Sequence, residues 1–151
     1  VPVSPNRGQI LVTERLKPFL HYPTTYVRQT DEGTVQLGDS HESAGFDDGT
    51  STEVMAGTAR RAVQCFPRLG QVRLVRAWGA LRVLSADGFP IYEASQDCLG
   101  AVVVSCHSGV TLAAIHALRL APWIAGEYDE PAVAPFSLQR FKRKPEVRHA
   151  G

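Results

Sequence analysis

The stretch that most constrains this chain is "AVVVSCHSGVTLAAIHALRL", residues 101–120, where an apolar run without alternation passes through a His-Ser-Gly turn into a helical pattern. A strand with one wet face alternates polar and apolar, so the unbroken run Ala101–Cys106 predicts a strand buried on both faces. A helix is expected from about Ser108, bent near its end by Pro122, which lacks an N–H and crowds the preceding turn. That seam points backbone N–H groups and the positive end of a helix dipole at one spot. Ser108 can cap there, Gly109 removes a Cβ, and Thr111 adds a hydroxyl. From these residues alone, a plain capped turn and an anion-attracting turn both remain open.

Upstream, "GQILVTE", Gly8–Glu14, reads as a strand, and "TTYVRQ" with "GTVQLGD" forms a hairpin around Thr30–Gly33 that turns Val35 and Leu37 toward a core. "SHESAGFDDGT" has the composition of a surface loop. A capping box, Thr50 with Glu53, opens a helix carrying Met55, Ala59, Val63 and Phe66 on one face, and Pro67 ends it. "QVRLVRAWGALRVL" is strand-like until Gly79 interrupts it, and "SADGFPIY" is a tight turn followed by a short strand. The order is α+β: an antiparallel or mixed sheet with one flanking helix, then a final buried strand and helix.

The chain has 151 residues, 44% of them hydrophobic, with a formal net charge of +1, so it suits a soluble domain with a core and no bulk attraction to nucleic acid. No apolar stretch reaches the roughly 18 residues that span a bilayer, and the N-terminus lacks the pattern of a targeting signal. Cys65, Cys98 and Cys106 fit no metal spacing and cannot all pair, so no metal is assigned and ordinary buried or half-buried thiols in a reducing, cytoplasmic setting are expected. The basic end "RFKRKPEVRHAG" reads as a solvated tail. A first residue of Val rather than Met suggests a fragment or a processed subunit.

Arg82 lies just before a tight turn, where its guanidinium could grip a carboxylate with two parallel hydrogen bonds or simply make a surface salt bridge. His107 is equally a proton carrier or a structural histidine.

Taken together, "RGQILVTE", "LR…DGFPI" and "HSGVTLA" resemble, in order and approximate spacing, the C-terminal part of the FAD-dependent amino-acid and amine oxidoreductases of the D-amino-acid oxidase superfamily. The resemblance covers nearly the whole chain. It implies FAD as cofactor, a small amino acid or amine as substrate, Arg82 as the binder of its carboxylate, and His107, Ser108, Gly109, Val110 and Thr111 against the flavin. There, backbone amides would stabilise developing negative charge without an ionisable side chain. No catalytic acid or base is assigned. The implied organisation is a substrate-binding portion, 1–95, the strand and helix of an FAD-binding domain, 96–141, and a basic flexible tail, 142–151.

Several positions depart from the family pattern. Val83 stands where a proline is common, Glu93 where a glycine is, and Ala114 follows Leu112-Ala113 where a proline is usual. No G-x-G-x-x-G follows a strand, so tight FAD binding requires another half, and partners are that half or other subunits, with self-association of exposed apolar surface. Two other readings stand beside the flavoenzyme: an inactive interaction module, and a domain binding a small anion at its helix start.

Overall fold

The computed structural model describes residues 1–127, 129 and 131–142. Residues 143–151 of the expected basic tail lie outside the described residues. The chain divides into two compact units, Pro5–Arg82 and Val1–Ser4 with Val83–Gly151.

In the unit Pro5–Arg82 the hairpin forms as its turn chemistry requires. Strand β2, Val27–Gln29, pairs antiparallel with β3, Thr34–Leu37, with Val27 opposite Leu37. Gly33 takes φ +95°, a conformation that a side chain would strain. Strand β1, Val3–Arg15, is longer than the seven-residue reading and pairs antiparallel with β3, Leu11 opposite Leu37. The register shifts between Val12 and Arg15. Strand β4, Leu74–Ser85, completes the order β2-β3-β1-β4.

β4 runs straight through Gly79, contrary to the expected interruption. The glycine is there because the carbonyls of Asp48 and Gly49 pass over the strand: an added Cβ would lie 2.5 Å from the Asp48 oxygen. Helix α1, Thr52–Cys65, is capped one residue later than the sequence suggested. Gln9 Oε1 accepts from the Ser51 N–H, which holds Ser51 extended as the residue half inside the helix, and its Oγ accepts from Val54 N–H. The apolar face of α1 is as read. Met55, Ala59, Ala62, Val63 and Phe66 pack on Leu11, Val27, Val35 and Leu37, before Pro67 starts a 3₁₀ turn. Each fully buried Leu or Val of the cluster is worth about 1.5–3 kcal/mol.

The other unit contains the ribbon of β5, Ile91–Ala94, and β6, Val102–Ser105, antiparallel with Ile91 opposite Ser105. The Asp87-Gly88 turn before it uses φ +78° at Gly88. β6 is not fully buried within this chain: Val104 is 44% exposed. Apolar residues occupy both of its faces, but a two-stranded ribbon covers at most one.

Regular helix begins at α2, Ala113–Ile115, rather than Ser108. It continues through a π-helical turn, His116–Leu120, into α3, Ala121–Ile124. Pro122 does not end it. A regular α-helix would ask Pro122 to donate to Leu118, and the wider turn just before it, with Ala121 N–H reaching His116 O, relieves that demand. Gly126, φ +77°, closes the helix. Tyr92, Leu120 and Val133 form the small core, with Trp123 and Phe136 against it. Two cysteines depart from the expected burial, since Cys65 and Cys98 are exposed and Cys106 is half-buried. Among the described residues no helix is long and apolar enough to cross a membrane.

Candidate functional site

Arg82 sits on β4 with its guanidinium laid against Gly8 of the neighbouring β1, so close that an added Cβ would come within 2.7 Å of Cζ. Its Nη1 donates to Asn6 Oδ1 at 2.9 Å and approaches His41 Nδ1 at 3.1 Å. Its Nη2 donates to Ser40 O at 2.9 Å and Asp39 Oδ2 at 3.1 Å. The side chain is 26% exposed.

The loop that supplies these partners is anchored by residues to which the sequence reading gave no role. Arg7 reaches Glu42 Oε2 at 2.7 Å and Asp47 Oδ2 at 2.6 Å. Gln9 Nε2 donates to both Glu42 oxygens at 2.9 and 3.0 Å, while the Gln9 N–H donates to Ser40 Oγ. The Arg7 guanidinium, helped by Ser40 and Gln9, holds the Glu42 carboxyl below the usual carboxylate range against the opposing effect of burial. The signal that could have found this network is Arg7 and Gln9 themselves, polar residues in a strand otherwise fit for a core, followed by an acidic loop. Arg7 and Gln9 are 8% and 1% exposed.

In the other unit, a cavity of about 670 Å³ lies beside the turn after β6. His107, Ser108 and Thr111 line it, together with apolar Phe89, Leu112 and Ile115. Gly109 and Val110 do not, and Val110 is 95% exposed. Ser108 makes no side-chain cap; its carbonyl accepts from Leu112 N–H at 3.0 Å, because residues 109–112 form turns before α2. The same wall holds a pair absent from the sequence reading, Tyr92 Oη and His116 Nε2 at 2.7 Å, with the rings edge to face. Burial, with Cys106 adding to it, pushes the Tyr92 hydroxyl above its ordinary range. Nothing in the spacing of Tyr92 and His116 signals that they meet.

The sequence model of the family described as "FAD dependent oxidoreductase" (DAO) matches residues 1–123. The chain belongs to this family. Its members depend on FAD, and the likeness seen in "RGQILVTE", "LR…DGFPI" and "HSGVTLA" is thereby secured. The B subunit of opine oxidase from Agrobacterium tumefaciens (strain Ach5) is 42% identical over 146 residues, an overlap of 97% of this chain and 39% of that protein. The HcnC subunit of hydrogen cyanide synthase from Pseudomonas aeruginosa is 34% identical over 151 residues, 96% of this chain and 36% of its own length. This chain thus spans under two fifths of these relatives. Both relatives are by name subunits of larger enzymes. Glycine oxidase from Geobacillus kaustophilus superposes with a TM-score of 0.80 at 22% identity, over 99% of this chain and 40% of that one. L-proline dehydrogenase from P. horikoshii gives 0.83 at 17%, over 94% and 41%. These two likenesses establish the α+β fold of the family's flavoenzymes for this chain.

Proposed function

We propose that this chain supplies the substrate-binding part of an enzyme that oxidises the C–N bond of an amino acid or secondary amine, with Arg82 fixing the substrate carboxylate. Residues 1–95 form the substrate-binding portion, and 96–141 contribute a strand and helix to the cofactor side. The enzyme's other partners are an FAD-binding half or further subunits. The observation that carries the reading is the Arg82 fork: its face is pinned on Gly8, its plane is therefore fixed, and it stays partly open to solvent. A planar fork held in this way suits a carboxylate better than a point charge would.

The turn at His107, Ser108 and Thr111 fits one edge of a flavin. Its wall is apolar with few polar groups, and at Gly109 an added Cβ would meet nothing nearer than Cys106 Sγ at 4.0 Å. FAD, when bound, supplies the acceptor for hydride leaving the carbon beside nitrogen. The chain's own task is orientation: Arg82 sets the carboxylate, and Phe89, Leu112 and Ile115 give the cavity an apolar wall. No side chain is assigned as a base, because an amine that enters neutral needs none.

Steady-state kinetics of the flavin-loaded enzyme that contains this chain, on an amino acid and on the matching amine without its carboxylate, tests this. Arg82→Ala should lower kcat/KM for the amino acid by on the order of 30- to 1,000-fold, about 2–4 kcal/mol, and barely touch the amine; Arg82→Lys should fall between. Equal slowing of both substrates would mean that Arg82 does not read the carboxylate.

A further inference from the structure

The Arg82 guanidinium has one face closed and one edge occupied. Gly8 closes that face, and hydrogen bonds to the fork run in the guanidinium plane, so a ligand that takes the Nη protons does so along that plane. Of the four acceptors there, two are anchored. Asn6 belongs to β1, and Ser40 offers its backbone carbonyl while its Oγ is tied between Gln9 N–H and Glu42 Oε1. The other two are surface side chains of the loop, His41 at 64% and Asp39 at 38% exposure.

His41 Nδ1 lies 3.1 Å from Nη1, which only donates, and 3.2 Å from Asn6 Oδ1, which only accepts, so it serves one of the two; in the tautomer protonated on Nε2 it accepts from Arg82. The ring proton then sits on Nε2, 3.0 Å from Asp39 Oδ2, and donates to it. Asp39 Oδ2 in turn accepts from Nη2 at 3.1 Å. The two side chains close a ring on the fork, from Nη1 through the imidazole to Asp39 and back to Nη2. A carboxylate that takes both Nη groups with parallel hydrogen bonds competes for protons these acceptors hold, and His41 and Asp39 are the two that are not anchored.

We propose that Asp39 and His41 are an internal stand-in for the substrate carboxylate, a displaceable plug that sets how tightly Arg82 takes a carboxylate ligand. This rests on the reading that Arg82 binds that carboxylate. Binding is then an exchange: the ligand's two oxygens replace His41 Nδ1 and Asp39 Oδ2, and the anchored bonds to Asn6 and Ser40 keep the fork in place. Because the displaced partner is itself anionic, the net gain from each new ligand bond is small, and removing the Asp39 charge raises it.

The test is an NMR titration of the 151-residue chain with acetate, reading the His41 ring and Arg82 guanidinium resonances. Wild type should bind weakly, with the His41 signals moving as the ring leaves Nη1. Asp39→Asn keeps the shape without the charge and should bind acetate about three- to tenfold tighter, a gain abolished by adding Arg82→Ala. His41→Ala, at an exposed position, should also tighten binding and decides the matter if circular dichroism shows Asp39→Asn unfolded. Unchanged affinity in Asp39→Asn and His41→Ala, with weaker binding in Arg82→Ala, overturns the plug and leaves the carboxylate reading standing. Acetate binding indifferent to Arg82→Ala in every background overturns that reading itself, and the plug with it.

Discussion

Leu11 and Leu118 are the same side chain in opposite circumstances, one wholly buried and the other 72% exposed. They stand for their regions. Pro5–Arg82 sinks Leu11, Val27, Val35 and Leu37 into one cluster and even buries Arg7 and Gln9 of its polar network. Among the described residues, the unit holding the ribbon and final helix gathers only Tyr92, Leu120 and Val133 into a cluster, with Ile91 buried apart from it, and leaves Val104, Val110, Ile115 and Ile124 at least 44% exposed. The lesson is that apolar sequence and a buried core are separate facts: the first unit builds a core although it leaves Phe46, Leu74 and Val75 exposed, whereas the second displays more apolar surface of the kind that docks or self-associates around a smaller core.

The sharpest way to break this comparison is one substitution made in both places. Leu11→Ala should cost about 2–5 kcal/mol, and Leu118→Ala less than about 0.5 kcal/mol. The chain has two tryptophans, Trp78 in the first unit and Trp123 in the second, so Trp123→Phe and Trp78→Phe backgrounds report the units separately in denaturant. A Trp78 transition no steeper than that of Trp123, or equal losses from the two leucines, would erase the distinction.

The same contrast explains what was legible in the sequence. The hairpin at Thr30–Gly33 and the apolar face of α1 were readable because both are local: a turn glycine and a 3.6-residue period carry their own geometry. The cap at Ser51 rather than Thr50 was not, because Gln9, 42 residues away in sequence, decides it. Burial of Ala101–Cys106 was misread for a related reason, since an apolar run specifies what a strand can bury against and not whether this chain provides it. Arg82 could be singled out from its place before a turn, but Asn6, Asp39 and His41 are brought to it only by the sheet and the anchored loop. The π-turn at His116–Leu120 can be traced to Pro122 only once the helix is known to continue past it.

A smaller effect tests how tightly the first unit is packed. At Gly79 an added Cβ meets backbone carbonyls of residues 48 and 49, which cannot swing aside, so Gly79→Ala should cost about 1–3 kcal/mol in the Trp78 transition. At Gly8 the obstacle is the far end of the Arg82 side chain, so Gly8→Ala should cost less than about 1 kcal/mol while displacing the guanidinium. Acetate titration of Gly8→Ala should then resemble that of Arg82→Ala. Equal destabilisation by the two alanines would show that the fork is as rigid as backbone.

A further small effect belongs to the second unit and turns on charge. Asp87 accepts from Arg140 Nε at 2.7 Å and Nη2 at 3.0 Å, and from Phe89 N–H at 3.1 Å. Arg140 holds its carboxyl far below the usual carboxylate range, with burial opposing. A depressed folded-state value means that the contribution is complete above the unfolded value, about 3.9, and is lost as pH falls below it. Asp87 is 34% exposed in its side chain, so solvent screens the pair, and Asp87→Asn should lower the Trp123-reported stability at pH 7 by about 1 kcal/mol. The gap between wild type and variant should narrow steadily as pH drops from about 4 toward 2. A gap independent of pH would assign the loss to geometry instead of charge. A matching shift in the Trp78 transition would mean that the two regions unfold as one, and the contrast between Leu11 and Leu118 would then reflect burial alone rather than separate stabilities.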